Sequence, residues 1–177
     1  MVFAGAAEAT RELGRQVMKG NHSYSIQRMY PRYRKRAAIR HGGEDKLEKK
    51  LMAVSEKMLK NGIKMLKFEV GSPRSAHEVF LWRGRDKAGQ PIQAYLEWLV
   101  FVPTRTEYRV IDRETGVARR LETKGFQVAV AKKGTSEWYF LDGSNLTIPE
   151  LRSFFPGLPE DKALLGLPPV GGGELKN

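Results

Sequence analysis

Two side chains on one predicted strand could carry acid–base chemistry. Residues 92–102 read as a strand, and Tyr95 and Glu97 fall on the same face of it, about 7 Å apart by the rise per residue of a strand. If that face lines an apolar hollow, Glu97 would take up a proton readily and could act as a general base, with Tyr95 or His77 as its partner. The alternative is structural: Glu97 would form an ion pair with an arginine on a neighbouring exposed strand.

The sequence offers little for metal or covalent chemistry. Its three histidines, His22, His41 and His77, lack the spacing of a metal site, and zinc would need three or four close ligands. Cysteine is absent, which excludes a disulfide scaffold, a cysteine nucleophile and a thiolate metal site. No serine occupies a Gly-x-Ser-x-Gly turn. We therefore predict no metal and no cofactor.

Aromatic side chains on the predicted strands could instead line a pocket for a small apolar ligand. The alternative is that they only fill the core, because aromatic residues dominate core burial. Trp138 and Phe140, which alternate beside an Asp-Gly turn, are the clearest core residues. The predicted ligand-binding residues are Trp82, Tyr95, Trp98, Phe101 and Tyr108.

The charge of the chain is high and unevenly distributed. The 177 residues carry a formal net charge of +11, and the segment 28–40 has no acidic residue. Such a segment is either a solvated face or a surface for nucleic acid or an anionic membrane. The absence of a nucleic-acid reader motif argues against nucleic acid. The predicted anion-binding residues are Arg28, Arg32, Arg34, Lys35, Arg36 and Arg40.

The elements that must position these residues follow from hydrophobic periodicity. Helices are predicted at 4–18, after Ser23 and at 44–61, where apolar residues recur on one face. A period of two then predicts strands, and their short connections predict antiparallel pairing. A short helix is predicted within 146–156. The predicted strands are 64–70, 77–83, 92–102, 107–112, 117–121, 125–132 and 138–142.

The order of these parts carries a family resemblance. Four segments bear it: Arg28-Met-Tyr-Pro31, Gly42-Gly-Glu-Asp-Lys-Leu47, Phe68-Glu-Val-Gly71 and Trp138-Tyr-Phe-Leu-Asp-Gly143. In this order the chain resembles uncharacterised bacterial proteins of the nuclear transport factor 2-like (cystatin-like) superfamily, from about Ala7 to Leu165. The resemblance implies an α+β fold in which N-terminal helices pack in the concave face of a strongly curved antiparallel sheet. This cone-shaped fold would leave a cavity at its open end.

The same resemblance shapes the functional expectations. Enzymes of this fold place Asp, His or Tyr inside the cone, but no such set can be matched to this sequence. We therefore expect a non-enzymatic binding or interaction domain that holds a small apolar ligand or a protein partner in the cavity. The alternatives are a small-molecule lyase or isomerase that uses Glu97, and an anion-binding surface at 28–40. A homodimer through the outer face of the sheet is also expected.

Domain organisation and location complete the predictions. We expect one domain over 1–165 and a disordered tail over 166–177. No run of about 18 apolar residues is present, so no membrane span is predicted. The small residues of 1–9 resemble a signal-peptide cleavage region, although the charged and long apolar regions of a signal peptide are absent. They favour a periplasmic or secreted protein whose signal peptide has been removed, with a cytoplasmic protein as the alternative.

Overall fold

A computed structural model describes residues 1–175 of the chain. Within them, helices come first and an antiparallel sheet follows, so the predicted α+β class is confirmed. The helices are α1 (Val2–Met18), α2 (His22–Gln27), α3 (Pro31–His41), α4 (Glu44–Lys60), α5 (Ile148–Phe154) and α6 (Lys162–Leu165). The strands are β1 (Ile63–Val70), β2 (Ser75–Arg85), β3 (Pro91–Ile111), β4 (Ala118–Lys132), β5 (Trp138–Asp142) and β6 (Gly171–Glu174).

Two long strands form the centre of the sheet, which is not closed into a barrel. Strands β3 and β4 pair with each other, and each has two shorter strands along its other edge. The first half of β3 pairs with β2 and its second half with β1. In the same way, β4 pairs with β5 near its end and with β6 near its middle. Every one of these pairings is antiparallel.

Strand β3 passes through a proline without interruption. The prediction of two strands, 92–102 and 107–112, is therefore wrong. The carbonyl of Pro103 accepts a hydrogen bond from the N–H of Gly71, so the missing N–H of Pro103 points to the same edge. That edge of β3 has a gap at this point, because the pairing with β2 ends at Phe101 and the pairing with β1 starts at Thr104. A proline is tolerated in a strand where no ladder bond is lost.

Strand β4 and helix α3 also depart from the predictions. The predicted strands 117–121 and 125–132 are one strand, Ala118–Lys132. The residues between them are polar, and their side chains point alternately to the two faces of the sheet. Helix α3 was not predicted, since its charged sequence hides the helical period. Pro31 stands at its start, where a fixed φ favours a helix, and Gly42, with φ +81°, ends it.

The two faces of the sheet are covered by different parts of the chain. Even-numbered residues of β3, such as Val100, pack with Leu13 of α1. Odd-numbered residues, such as Phe101, pack with Phe155 and the rest of the C-terminal segment. Both faces of the middle of β3 are buried, as the apolar run in the sequence predicts. Trp138 and Phe140 are buried in the α1 core, which confirms their prediction as core residues.

The segment before α3 is bonded to the free edge of β5. The N–H of Tyr30 donates to the carbonyl of Phe140 (2.9 Å), and the N–H of Phe140 donates to the carbonyl of Arg28 (2.7 Å). Met29 and Phe140 thus form a parallel bridge. The contact covers a strand edge and fixes the start of α3 against the sheet.

The predicted tail is ordered where the structure describes it. The prediction of disorder from 166 onward does not hold for Gly171–Glu174, which forms β6 along β4. Glycine-rich sequence favours disorder, but here it permits close approach: a Cβ on Gly172 would lie 3.1 Å from the backbone oxygen of Glu122. The part of the prediction that concerns 176–177 lies outside the described residues.

Replacing each of two glycines in helix α1 by alanine is expected to change stability in opposite directions. A Cβ on Gly14 would lie 2.0 Å from the ring of Phe68, whereas a Cβ on Gly5 would lie 3.4 Å from Trp138, an ordinary contact. We expect Gly14→Ala to lower the free energy of unfolding by about 1–3 kcal/mol through overpacking. Gly5→Ala, the control, should be neutral or stabilising by about 0.5–1 kcal/mol. Urea unfolding followed by circular dichroism measures both, and equal stabilities would contradict the close packing of α1 on β1.

Candidate functional site

A cavity of about 670 Å³ lies between α1 and the second half of the sheet. Its volume is within the range of small-molecule sites. Helix α1, α2, β1, β3, β4 and the turn after β5 all contribute to its walls. The apolar part of the wall includes Leu13, Val17, Met29, Met65, Phe68 and Phe140.

Strand alternation brings polar groups to the same cavity. Thr104, Thr106 and Tyr108 are even-numbered residues of β3 and line it. Gln127 and Asp142 lie directly opposite each other on β4 and β5 and line it as well. The wall therefore combines hydroxyl and amide groups with an apolar surface, which is the usual composition of a site that orients a small molecule.

Tyr108 is the phenol of this cavity. Burial raises the pKa of Tyr108, the side chain of Thr106 acts against that increase, and the negative charge of Asp142 adds to it. The phenol therefore stays neutral and can donate a hydrogen bond.

Asp142 is held in place by the turn that follows β5. Its carboxylate accepts hydrogen bonds from the N–H of Ser144 (3.0 Å) and the side-chain amide of Asn145 (2.9 Å). Within residues 1–175, the other charged residue on the cavity border is Lys124. Lys124 lies directly opposite Arg105, whose side chain is on the outer face of the sheet, so the Lys124 side chain points outward too. Of the two charged residues that line the cavity within residues 1–175, Asp142 is the one that strand alternation turns toward it.

The predicted ligand-binding residues lie in different parts of the structure. Tyr108 lines the cavity, but Phe101 is completely buried on the opposite face of the sheet. Trp98 borders a separate recess of about 320 Å³ beside the start of α1. Trp82 and Tyr95 lie partly exposed on the hairpin of β2 and β3. Asp142 was missed, although it alternates with Trp138 and Phe140 and so shares their face.

Glu97 belongs to a buried polar cluster on the other side of the sheet. Its carboxylate accepts a hydrogen bond from the hydroxyl of Tyr30 (2.9 Å) and lies 3.5 Å from the guanidinium of Arg32. Arg32 also donates to the Tyr30 hydroxyl through Nε (2.7 Å) and Nη2. The ion pair predicted for Glu97 is therefore present, but its arginine lies on α3 instead of a neighbouring strand.

Burial makes this cluster sensitive to the ionisation of its phenol. The Tyr30 side chain is only 2% exposed, and the Glu97 side chain is 13% exposed. Burial raises the pKa of Tyr30, and the neighbouring charge of Glu97 raises it further. Neutral Tyr30 is thus part of the folded state, where it joins α3 to β3.

A strained residue covers Arg32. Phe80 has φ +60°, a conformation that costs a bulky residue of order 1–3 kcal/mol. It interrupts the ladder between Val79 and Leu81, and its ring lies 4.5 Å from the Arg32 guanidinium carbon. A cation–π contact on this side of the sheet accompanies the strain.

The other catalytic candidates, His77 and Tyr95, do not line a common cavity with Glu97. His77 lies within hydrogen-bond distance of the carbonyl of Leu165 (2.9 Å) and contacts the ring of Phe101 edge-on. Tyr95 shares a face with Glu97 but is partly exposed. None of the three lines the 670 Å³ cavity. In residues 1–175 no group of three His, Asp or Glu side chains could hold a metal ion.

Most of the predicted anion-binding residues already have polar partners in the protein. Of the six, Lys35 and Arg40 are exposed and the other four are partly buried, so the six do not form one open patch. The partners are Glu137 for Arg28, Glu97 for Arg32, Glu44 for Arg34 and the Ser153 hydroxyl for Arg36.

Comparison with known proteins adds no identity: no family model, curated protein or solved structure matches this chain. Among the described helices, none is both long and apolar enough to span a membrane.

Removal of the Tyr30 hydroxyl tests the buried cluster. We expect Tyr30→Phe to lower the free energy of unfolding at neutral pH by about 1–3 kcal/mol, because Glu97 and Arg32 lose a buried partner. The raised pKa of Tyr30 makes its contribution complete below its ordinary value of 10.0 and progressively lost above it. The stability difference between wild type and variant should therefore shrink as the pH rises above 10.

Tyr33→Phe is the matched control, since Tyr33 lies on the same helix and packs its ring against Phe154. Urea unfolding at neutral and alkaline pH provides the measurement. If Tyr30→Phe and Tyr33→Phe have the same effect at every pH, the cluster does not stabilise the protein as described.

Proposed function

We propose that this protein binds a small, largely apolar molecule in the cavity between α1 and the sheet, without transforming it. The observation that carries the proposal is the cavity itself, about 670 Å³ in volume, in which aliphatic and aromatic walls surround a few hydroxyl and amide groups. Burial of apolar ligand surface against such walls contributes roughly 25 cal/mol per Å². The polar groups would orient the ligand.

The charge of the cavity face limits the class of ligand. Asp142 lines the cavity, strand alternation turns its side chain toward it, and its carboxylate is fixed by the following turn. A ligand carboxylate or phosphate near Asp142 would meet a like charge. We therefore propose a neutral or cationic ligand that can accept a hydrogen bond from Tyr108.

The cone-shaped, nuclear transport factor 2-like architecture belongs to the same proposal. The packing of α1 across β1, β3 and β4 on one face of the sheet supports it. The register shift between Met65 and Lys67 also supports it, because a bulge bends a strand and increases its twist.

The alternative of a lyase or isomerase with Glu97 as general base has less support. Glu97 lies on the face of the sheet opposite to the cavity and is occupied by Tyr30 and Arg32. A general base must reach the proton that it removes.

Filling the cavity should abolish binding of a neutral apolar probe. We expect N-phenyl-1-naphthylamine to bind the wild-type protein with a fluorescence increase, and Val17→Trp to weaken this binding at least about tenfold because the indole occupies the space, a loss of roughly 1.4 kcal/mol. Ile39→Trp, which adds the same indole on an exposed site of α3, should bind as the wild type does. Equal binding by both variants would place the probe elsewhere, and no binding by the wild type would contradict the proposal.

Charge selection is tested with an anionic probe. We expect 8-anilinonaphthalene-1-sulfonate to bind weakly and Asp142→Asn to strengthen its binding about fivefold, since one like-charge interaction of about 1 kcal/mol is removed. Asp86→Asn is the control: it makes the same charge change in another turn-capping aspartate, and it should have no effect. If the anionic probe binds the wild type as tightly as the neutral one, the charge selection is wrong although the cavity binds ligands.

A further inference from the structure

The outer face of the sheet is divided into a covered half and an open, charged half. The C-terminal segment covers the apolar half around Phe101. Beyond Pro103, nine charged side chains lie on the same face across β1, β3 and β4, six of them basic and three acidic. We call this surface the charged face; its residues are Lys64, Lys67, Glu69, Arg105, Glu107, Arg109, Arg120, Glu122 and Lys124.

All acidic residues of the charged face form ion pairs with basic residues of the same face. Arg105 contacts Glu122, Glu69 (3.6 Å) and Glu107 (3.7 Å). Arg120 contacts Glu107 at 2.7 Å, and Glu69 also contacts Lys67 at 2.6 Å. No carboxylate of this face is left to neutralise the remaining basic residues.

One row of the face consists of basic residues alone. Lys64 lies directly opposite Arg109, and Arg109 lies directly opposite Arg120. Like charges directly opposite on neighbouring strands are destabilising. Within residues 1–175, Lys64 and Arg109 have no ion-pair partner. Such a row is best explained by an anionic partner that binds it.

Exposed apolar side chains adjoin this row. Ile111 and Val117, at the turn between β3 and β4, are 37% and 54% exposed. The turn also contains Asp112, whose carboxylate is hydrogen-bonded to the backbone N–H groups of Glu114 and Thr115. A row of cations next to two exposed apolar side chains is a combination that suits the interface of an anionic membrane.

We propose that the charged face docks on the surface of a bilayer that contains anionic lipids. The face carries no aromatic residue on which the bases of a single strand could stack, and it has no helix or protruding ribbon to enter a groove of duplex nucleic acid. A bilayer demands neither feature. It offers phosphate groups to the basic row and an apolar boundary to Ile111 and Val117.

Vesicle co-sedimentation tests the proposal with the whole chain. We expect binding to phosphatidylcholine vesicles that contain phosphatidylglycerol, little binding to pure phosphatidylcholine, and a steep loss with added salt. Each basic residue at the surface contributes about 1 kcal/mol, so Lys64→Glu with Arg109→Glu should weaken binding by at least about thirtyfold. Ile111→Ser with Val117→Ser should weaken it as well.

The matched control is Lys35→Glu with Arg40→Glu, which makes the same charge change at exposed sites of α3. It should keep most of the binding. Lys64→Gln with Arg109→Gln provides a milder variant, whose thermal stability should equal or exceed that of the wild type because like charges are removed.

Three results would overturn the proposal. Absence of binding to the anionic vesicles is the first, and equal losses in both glutamate variants, which would indicate a response to net charge alone, are the second. The third is selective binding to random duplex DNA that the charged-face variant abolishes while vesicle binding is unaffected. Because the cavity variants leave this face intact, these results are independent of the ligand-binding proposal.

Discussion

Side-chain alternation along β3 is the constraint on which the rest of the structure depends. In this strand of 21 residues, the even-numbered side chains from Trp98 to Tyr108 lie on the side of α1, and the odd-numbered ones from Leu99 to Arg109 lie on the opposite side. The first set begins in the α1 core at Val100 and continues into the cavity at Tyr108. The second set begins in the C-terminal core at Phe101 and ends in the charged face at Arg109. A shift of one residue would exchange all of these environments, which is why the register is strongly specified.

The same strand explains why Glu97 and the cavity are separate. Glu97 and Tyr108 differ in parity, so they lie on opposite faces of the sheet whatever their neighbours do. On its own side, Glu97 meets Tyr30 and Arg32 because the segment before α3 is bonded to the edge of β5. A buried carboxylate needs such partners, since an unpaired buried charge is very costly. The cluster is thus better understood as a joint between α3 and the sheet than as catalytic machinery.

The sequence predicted what depends on local periodicity. The class, the N-terminal helices, the antiparallel strands and the core role of Trp138 and Phe140 were all visible in the spacing of apolar residues. The continuity of β3 through Pro103 was not, because it depends on a gap between two partner strands that are remote in the chain. Helix α3 was hidden by its charges. The cavity residue Asp142 ends the predicted strand 138–142, where the period of two places it on the cavity face, but it was not among the predicted site residues. Ligand identity, export and dimer formation stay predictions.

The bond between the segment at Met29 and β5 at Phe140 has a consequence for biosynthesis. The N-terminal helices cannot complete their cores until the ribosome has produced the sheet and the C-terminal segment that covers it, more than a hundred residues later. At roughly 5–20 residues per second, the amphipathic face of α1 would wait several seconds or longer with its apolar side chains unprotected. Burial of the apolar face of α1 is therefore a late event in synthesis, whatever the mature protein binds.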